Sequence, residues 1–455
     1  MKDSYDIVIV GASSAGAYFA RQMAQRGFDV LVIEKDTPET LSREYDVFHM
    51  AQAEMERYDL PKVQPGDGVY CFAFTEELQF SPYGQHPKLK KTAVIGMHKN
   101  GYMRRMNVWA QAAGAEIVYS ACFDSAILTD GRITGVRFTH EGESIEVGCR
   151  LLADCSGKQA VVRRSLPADY GVEQFALTER DVFFVKLRYI KFDEPMERWL
   201  KSYFYMFYKA WISPSDDSAD AIVGIGSSRS LEAGERFYRL FCQNVKAPPY
   251  HVVREETGTT PYRRPLYSFV ADGFLCMGDA ACLTKPDNGE GTTAALALEE
   301  IAAEVASAAL QNGAYPTREA LWPINKRYND GQGKEFALVL AAFARAVNHS
   351  IRMNDFLFKH DAIFSKKIIG AVAGKGGVGP GEIAKAVFFI LYGMATGNIK
   401  PAEIGGMLLG GVKGLRVMLH YARYPATPEH FPEWVKKADR LWESVGQMAD
   451  YQIEI

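Results

Sequence analysis

Gly11-Ala12-Ser13-Ser14-Ala15-Gly16, with a carboxylate at Glu34, has the residue types and spacing that bind a dinucleotide. Small residues at 11 and 16 let backbone N–H groups approach a pyrophosphate, and Ser13, Ser14 and Ala15 bring the amides of a helix start to its charge. Ser13 stands where such a turn usually has its second glycine, and Ala20 is small where the helix must lie close on a sheet. Glu34, followed by Lys35, can accept hydrogen bonds from both hydroxyls of an adenosine ribose, and an acid there disfavours a 2′-phosphate. A second set lies far along the chain in GFLCMGDAACLTKPDNGEGTTAALALEE (273–300): Gly278, Asp279, Pro286, Gly289, Gly291 and Thr292. A helix beginning there would turn its positive end toward negative charge on a ligand. Asp279 also reads as a cap at a buried strand end. Between the two sets, LLADCSGKQAVVRR (151–164) carries Asp154 and Gly157.

Several elements must position these residues. YDIVIVGASSAGAYFARQMAQRGFDVLVIE (5–34) reads as strand, small-residue turn, helix and strand, a βαβ unit. Residues 117–151 alternate as strands, with Asp130-Gly131 as a hairpin signal, and an amphipathic helix is expected over 50–58. Residues 183–226 are aromatic and strand-like (FFVKLRYI, YFYMFYKAWISP, AIVGIG); alternating aromatics of this kind most often pack in a sheet core. After residue 330 the pattern is helical, broken by GAVAGKGGVGPG (370–381), which reads as a hinge or turn and not a phosphate loop because Lys375 is followed by glycine. Residues 400–424 set Lys400, Lys413, Arg416 and Arg423 against Glu403 among apolar residues, a pattern that fits either a packed helical cap with a solvated basic face or a pair of helices that dock on a membrane surface or take up a lipid tail.

The 455 residues, 47% hydrophobic and 24% charged, with 40 Gly and 20 Pro, exclude a disordered or fibrous chain and suggest two to four structural units. A net charge of -3 lacks the basic field of a nucleic-acid binder. The seven cysteines are scattered and never spaced as CxxC, which argues against a disulfide framework or a metal site and for a reducing, cytoplasmic location. No secretory signal is read, since the run Ile7 to Val10 goes directly into a glycine turn, and AVFFIL (386–391) is too short to cross a bilayer.

Residues 273–300 resemble the second FAD signature of the flavoprotein hydroxylase and geranylgeranyl reductase superfamily. The resemblance implies that Asp279 hydrogen-bonds the ribityl chain, Pro286 borders the isoalloxazine, and the amides from Gly289 to Thr292 face the flavin pyrimidine edge. It also implies that Asp154 and Gly157 lie by the pyrophosphate and ribityl region, although the usual Asp-Gly is here Asp154-Cys155-Ser156-Gly157. RRMNVWAQAAGAEI (104–117) resembles the family helix whose leading arginine touches FAD; Met103 falls at that arginine, which leaves Arg104 or Arg105, both also readable as a solvated helix start. Geranylgeranyl reductases carry Tyr-x-Trp-x-Phe-Pro on the floor of a lipid pocket, then a Val-Gly-x-Gly strand. Here Trp211, Pro214 and Val223-Gly224-Ile225-Gly226 match, Lys209 stands at the tyrosine with Tyr208 beside it, and Ser213 replaces the phenylalanine. Tyr205, on the same aromatic stretch, joins Trp211 and Pro214 as a substrate-contact candidate. PYRRPLY (261–267) and HYARYPATPEHFPEW (420–434) extend the resemblance over nearly the whole chain.

The implied fold is α/β, a Rossmann-like FAD-binding domain of the p-hydroxybenzoate hydroxylase type with an antiparallel β-sheet substrate domain and a C-terminal helical region. The expected division is 1–70, 95–170 and 262–325 for FAD, 71–94 and 171–261 for substrate, and 326–455 for the helices. The implied activity is reduction of C=C bonds in a long apolar, isoprenoid substrate, which needs a hydride from the flavin on one face and a proton on the other, in a dry cavity. The family's usual cysteine beside the flavin is absent from Glu44-Tyr-Asp46-Val-Phe-His49, so Asp46 or His49 is the candidate proton-handling residue; the same stretch also reads as a surface loop. Gly224 to Ser230 is not a second dinucleotide site, so the electron donor is either a visiting NAD(P)H or a protein such as ferredoxin. No metal is expected. The partners expected are the lipid substrate, a redox donor and a membrane surface, with no nucleic acid. Alternative readings on the same fold are a monooxygenase, a halogenase, whose Trp-x-Ile-Pro segment residues 211–214 resemble, and a non-catalytic lipid carrier or electron-transfer module.

Overall fold

The computed structural model describes residues 1–42, 44–194, 203–206, 210–228, 230–286, 289–346, 350–362 and 379–446, with backbone only at 203–206 and 343–346. Its first sheet runs in the order Val270–Ala271, Phe274–Cys276, Glu143–Asp154, Ser4–Val10, Val30–Ile33, Glu116–Val118, parallel throughout except at the outermost pair. Ile7, Val8 and Ile9 are fully buried, as a strand covered on both faces requires. The hairpin Ala121–Thr129 and Arg132–His140 adds to the edge of Glu143–Asp154; Asp130 and Gly131 take φ of +51° and +75°, the left-handed pair of a tight hairpin turn. Val10 pairs with Ile33 and Asp154, and Asp154 pairs with Cys276, so these parallel strands end in one row. That row sets the loops after residues 10, 154 and 276 side by side, at the carboxyl edge where α/β sheets bind ligands. Helices Ser14–Ala24 and Thr292–Ala309 pack together over this sheet, with Lys99–Ala112 against the first.

The second sheet is ordered Tyr250–Pro261, Val182–Phe192, Ala221–Ser227, Ala210–Pro214, Tyr203–Met206, Tyr70–Phe80, Lys88–His98, Val47–Ala51. All its pairs are antiparallel except Tyr203–Met206 with Tyr70–Phe80. This corrects two expectations. Residues 47–51, assigned with 1–70 to the dinucleotide unit, are a strand of the second sheet, and the helix expected over 50–58 is confined to Gln52–Arg57. The strand-like YFYMFYKAWISP holds two strands, Tyr203–Met206 and Ala210–Pro214, with Tyr205 opposite Trp211 in register.

The C-terminal part is helical: Arg318–Tyr328, Lys334–Ala346, Ile351–Lys359, Pro380–Ala395, Pro401–Tyr421 and Phe431–Val445. Trp322, Tyr424, Phe431 and Trp434 pack ring against ring where these helices meet the first sheet's core. Most of the glycine-rich break at 370–381 lies outside the described residues. No helix among the described residues is long and apolar enough to cross a membrane.

Candidate functional site

Gly11 sits at the end of its strand with φ +107°, and a Cβ there would stand 2.3 Å from the carbonyl oxygen of Cys155. A Cβ at Gly16 would stand 1.9 Å from the Gly11 carbonyl oxygen, and one at Gly278 would stand 2.9 Å from the Cβ of Ala15. Glycine is therefore obligatory at positions where loops from residues far apart in sequence close on one another. Helix Ser14–Ala24 has no side-chain cap and no acid in its first turn, and neither does Thr292–Ala309, so both helix starts present amides and positive dipole ends.

Glu34, 6% exposed, lies under this turn, and its carboxylate accepts from the amides of Ala12 at 2.7 Å and Asp36 at 3.0 Å. A carboxylate has about four lone-pair sites, so it retains acceptor capacity for ribose hydroxyls. Ser13 Oγ shares a hydrogen bond with Ser42 Oγ at 2.9 Å. Lys35 is exposed and pairs with Asp36 at 3.4 Å. Asp154 is fully buried and accepts from Ser156 N at 3.1 Å, Ser156 Oγ at 2.6 Å and Arg163 N at 2.7 Å. Its carboxylate shapes loop 155–157 and starts helix Val161–Ser165, while Gly157, at φ +70°, has open space before it.

Asp279 reaches toward Gly291, where a Cβ would stand 3.1 Å from its Oδ1. Burial raises its carboxyl, opposed by Lys99 and Lys158. Pro286 is buried, and its carbonyl accepts from Tyr262 Oη at 2.6 Å. Glu290, in the Gly289 to Gly291 loop, accepts from Lys285 Nζ at 2.8 Å and Thr293 Oγ1 at 2.9 Å. Burial pushes its carboxyl up, but Lys285, His49 and Thr293 outweigh that and hold it low.

Of the two proton-handling candidates, His49 faces this loop: burial pushes its imidazole down against the pull of Glu290, and its ring meets Phe74 edge-on at 5.9 Å. Asp46 is instead ion-paired to Arg254, and its amide donates to Glu256 at 3.0 Å. Arg254 lies 3.8 Å over the Tyr189 ring, so Asp46 belongs to a clamp on the second sheet.

Arg104 lies on the side of the helix toward Tyr119, which also feels Glu34. It is exposed, and Arg105 is clamped to Asp67 and the Lys62 carbonyl. The cations that act on Asp279 are Lys158 and Lys99, the latter four residues before Met103 and so on the same helix face. Lys99 Nζ donates to the Glu44 carbonyl at 2.8 Å, and burial lowers its ammonium against the pull of Asp279 and Glu44. Tyr45 was also missed: at φ +61° it turns its hydroxyl onto Gly258, where a Cβ would stand 2.4 Å away. A non-glycine residue in that region is a strain of about 1–3 kcal/mol that functional sites often hold. Loop 44–49 thus joins the two sheets over Asp279 and Glu290.

On the second sheet, Trp211 lies across Gly224 and Phe183 across Gly226. Trp211 and Tyr45 border one apolar cluster with Phe72, Phe74, Val94 and Leu187. Pro214 is buried and paired with Ala221. The side chain of Tyr205 is outside the described residues, as are Tyr208 and Lys209. No group of His, Cys, Asp or Glu among the described residues could hold a metal.

The FAD-binding domain family matches residues 4–211. The chain is 24% identical over 332 residues to digeranylgeranylglycerophospholipid reductase 2 of Methanococcoides burtonii, covering 69% of this chain and 77% of that protein. It is 26% identical over 345 residues to digeranylgeranylglycerophospholipid reductase 1 of Methanopyrus kandleri, covering 73% and 87%. Among solved structures, a geranylgeranyl bacteriochlorophyll reductase-like protein of Thermoplasma acidophilum shares the fold at a TM-score of 0.62 and 15% identity, covering 97% of this chain and 100% of that one. A flavin-dependent brominase shares it at 0.61 and 16%, covering 96% and 100%.

Proposed function

We propose that this chain, an FAD-dependent oxidoreductase of the geranylgeranyl reductase family, reduces C=C bonds of a long apolar isoprenoid lipid. The observation that carries the reading is loop 44–49, which sets His49 against the Gly289 to Gly291 loop and Tyr45 beside Asp279, with the apolar Trp211 surface adjoining. FAD fits the obligatory glycines, the two uncapped helix starts and the buried Glu34, and when bound and reduced it supplies the hydride equivalent for the double bond.

The chain's residues do the rest. The amides at 13–16 neutralise the pyrophosphate, Glu34 takes the ribose hydroxyls, and Asp279 with Lys99 holds the ribityl region. The amides at Gly289 to Thr292 stabilise negative charge at the far edge of the ring. Trp211 and its aromatic neighbours exclude water from an apolar tail. His49 holds the proton, on an imidazole nitrogen, that completes the reduction. NAD(P)H or ferredoxin supplies electrons, and the lipid is met at a membrane surface.

Incubating the reduced protein with a geranylgeranyl lipid in the absence of oxygen tests this by mass spectrometry of the lipid. The expected gain is one H2 per reduced bond. An unchanged lipid contradicts the reading, and product formed only with oxygen moves it to a monooxygenase.

A further inference from the structure

Two C-terminal helices carry apolar side chains that are exposed among the described residues. In Pro380–Ala395, Ile383, Val387 and Leu391 recur every four residues and stand 54%, 50% and 57% exposed, with Phe388 at 61% beside them. In Pro401–Tyr421, Leu408, Val412, Leu415 and Leu419 follow the spacing of a single helix face and stand 62%, 45%, 47% and 47% exposed. Other side chains of both helices are packed. Phe389, Ile390 and Met394 of the first helix and Ile404 and Met407 of the second close on one cluster around Phe356 and Leu357. Gly410 and Gly414 are buried, and a Cβ at Gly414 would stand 3.1 Å from the Leu338 carbonyl oxygen. Both helices thus carry apolar side chains on an exposed side as well as on a packed one. Contiguous exposed apolar surface marks an interaction site.

The charges around this face identify its occupant. Lys385, Lys400, Arg416 and Arg423, on these helices or at their ends, are exposed, and Arg416 directly follows Leu415. The nearby Glu403 is engaged by the amides of Ser350 at 2.9 Å and Lys400 at 2.7 Å. A symmetric pairing of two copies would set this basic rim against itself. A surface with apolar depth and negative headgroups meets both features, and neither helix can cross it.

We propose that the outward faces of helices Pro380–Ala395 and Pro401–Tyr421 lie in the headgroup plane of an anionic lipid bilayer, with their leucines in the acyl boundary and the basic rim on lipid phosphates. The proposal names the surface behind the membrane contact read above and rests on that reading only for the lipid character of the substrate. Its assay reads binding without turnover, so the two fail separately.

The test is flotation of the purified holoprotein with phosphatidylcholine vesicles, with and without about a third phosphatidylglycerol. The wild type is expected to float with the anionic vesicles and less with the neutral ones, and to sediment as salt rises. Leu408→Glu with Leu415→Glu should cut partitioning about tenfold or more while the flavin spectrum is unchanged. Arg416→Glu with Lys385→Glu, which leaves the leucines intact, should remove the preference for anionic vesicles. A wild type that stays unbound to both vesicles, or a leucine variant that floats as the wild type does, overturns the proposal. So does light scattering that shows a dimer made monomeric by the leucine substitutions.

Discussion

Trp211 lies across Gly224 on the neighbouring strand, so close that a Cβ on the glycine would stand 1.8 Å from the indole Cε2. The glycine is the seat of the tryptophan. Gly224→Ala must displace the ring or bend the sheet, at about 1–3 kcal/mol of overpacking. The expected result is a lowered melting temperature with FAD still bound and a raised KM for the lipid. Unchanged lipid kinetics would separate Trp211 from the substrate surface.

Gly11→Ala places a methyl against the Cys155 carbonyl at a φ that only glycine takes without strain. The protein is expected to purify without flavin, read as loss of the visible absorbance relative to the protein band. Full flavin content in this variant would contradict the placement of the pyrophosphate at residues 11–16.

His49→Gln removes the imidazole that faces Glu290, whereas Asp46→Asn only loosens a clamp with Arg254. Single-turnover reduction is expected to slow about 10²-fold or more in the first, as loss of a positioned acid does, and far less in the second. If both substitutions together leave the single-turnover rate unchanged, neither residue handles the proton.

How much of this was legible in the sequence depends on how local each signal is. The glycine turn, the strand-end acid and the Gly278 to Thr292 motif are contiguous, and the structure brings them to one sheet edge because parallel strands end in a row. Lys99, which acts on Asp279 with Lys158, is less legible because it stands one helical turn before the family's arginine position at Met103, on a side set by helix periodicity and not by adjacency to an arginine. Strand Val47–Ala51 was missed because its partner, Lys88–His98, is distant in sequence, and a short apolar run reads equally as helix. The sequence patterns at Gly224 and Gly226 marked a family strand, but only the structure shows that these glycines make room for Trp211 and Phe183.

Glu299, on the helix that follows the second signature, is fully buried near Tyr18 and Cys155, and burial pushes its carboxyl up to about 8. An unfolded glutamate titrates near 4.3. The unfolded chain therefore ionises first, and stability is full below that value, falls as pH rises at about 1.4 kcal/mol per unit, and levels off above about 8. Denaturant unfolding across this range should show that slope in the wild type and a weaker one in Glu299→Gln. Equal slopes would mean that Glu299 is ionised in the fold.

The most direct measurement follows the oxidised flavin band, near about 450 nm, under strict exclusion of oxygen after photoreduction. Adding a geranylgeranyl lipid is expected to restore the band at the rate at which hydrogenated lipid appears. A flavin that stays reduced until air is admitted would contradict prenyl reduction and make oxygen the oxidant.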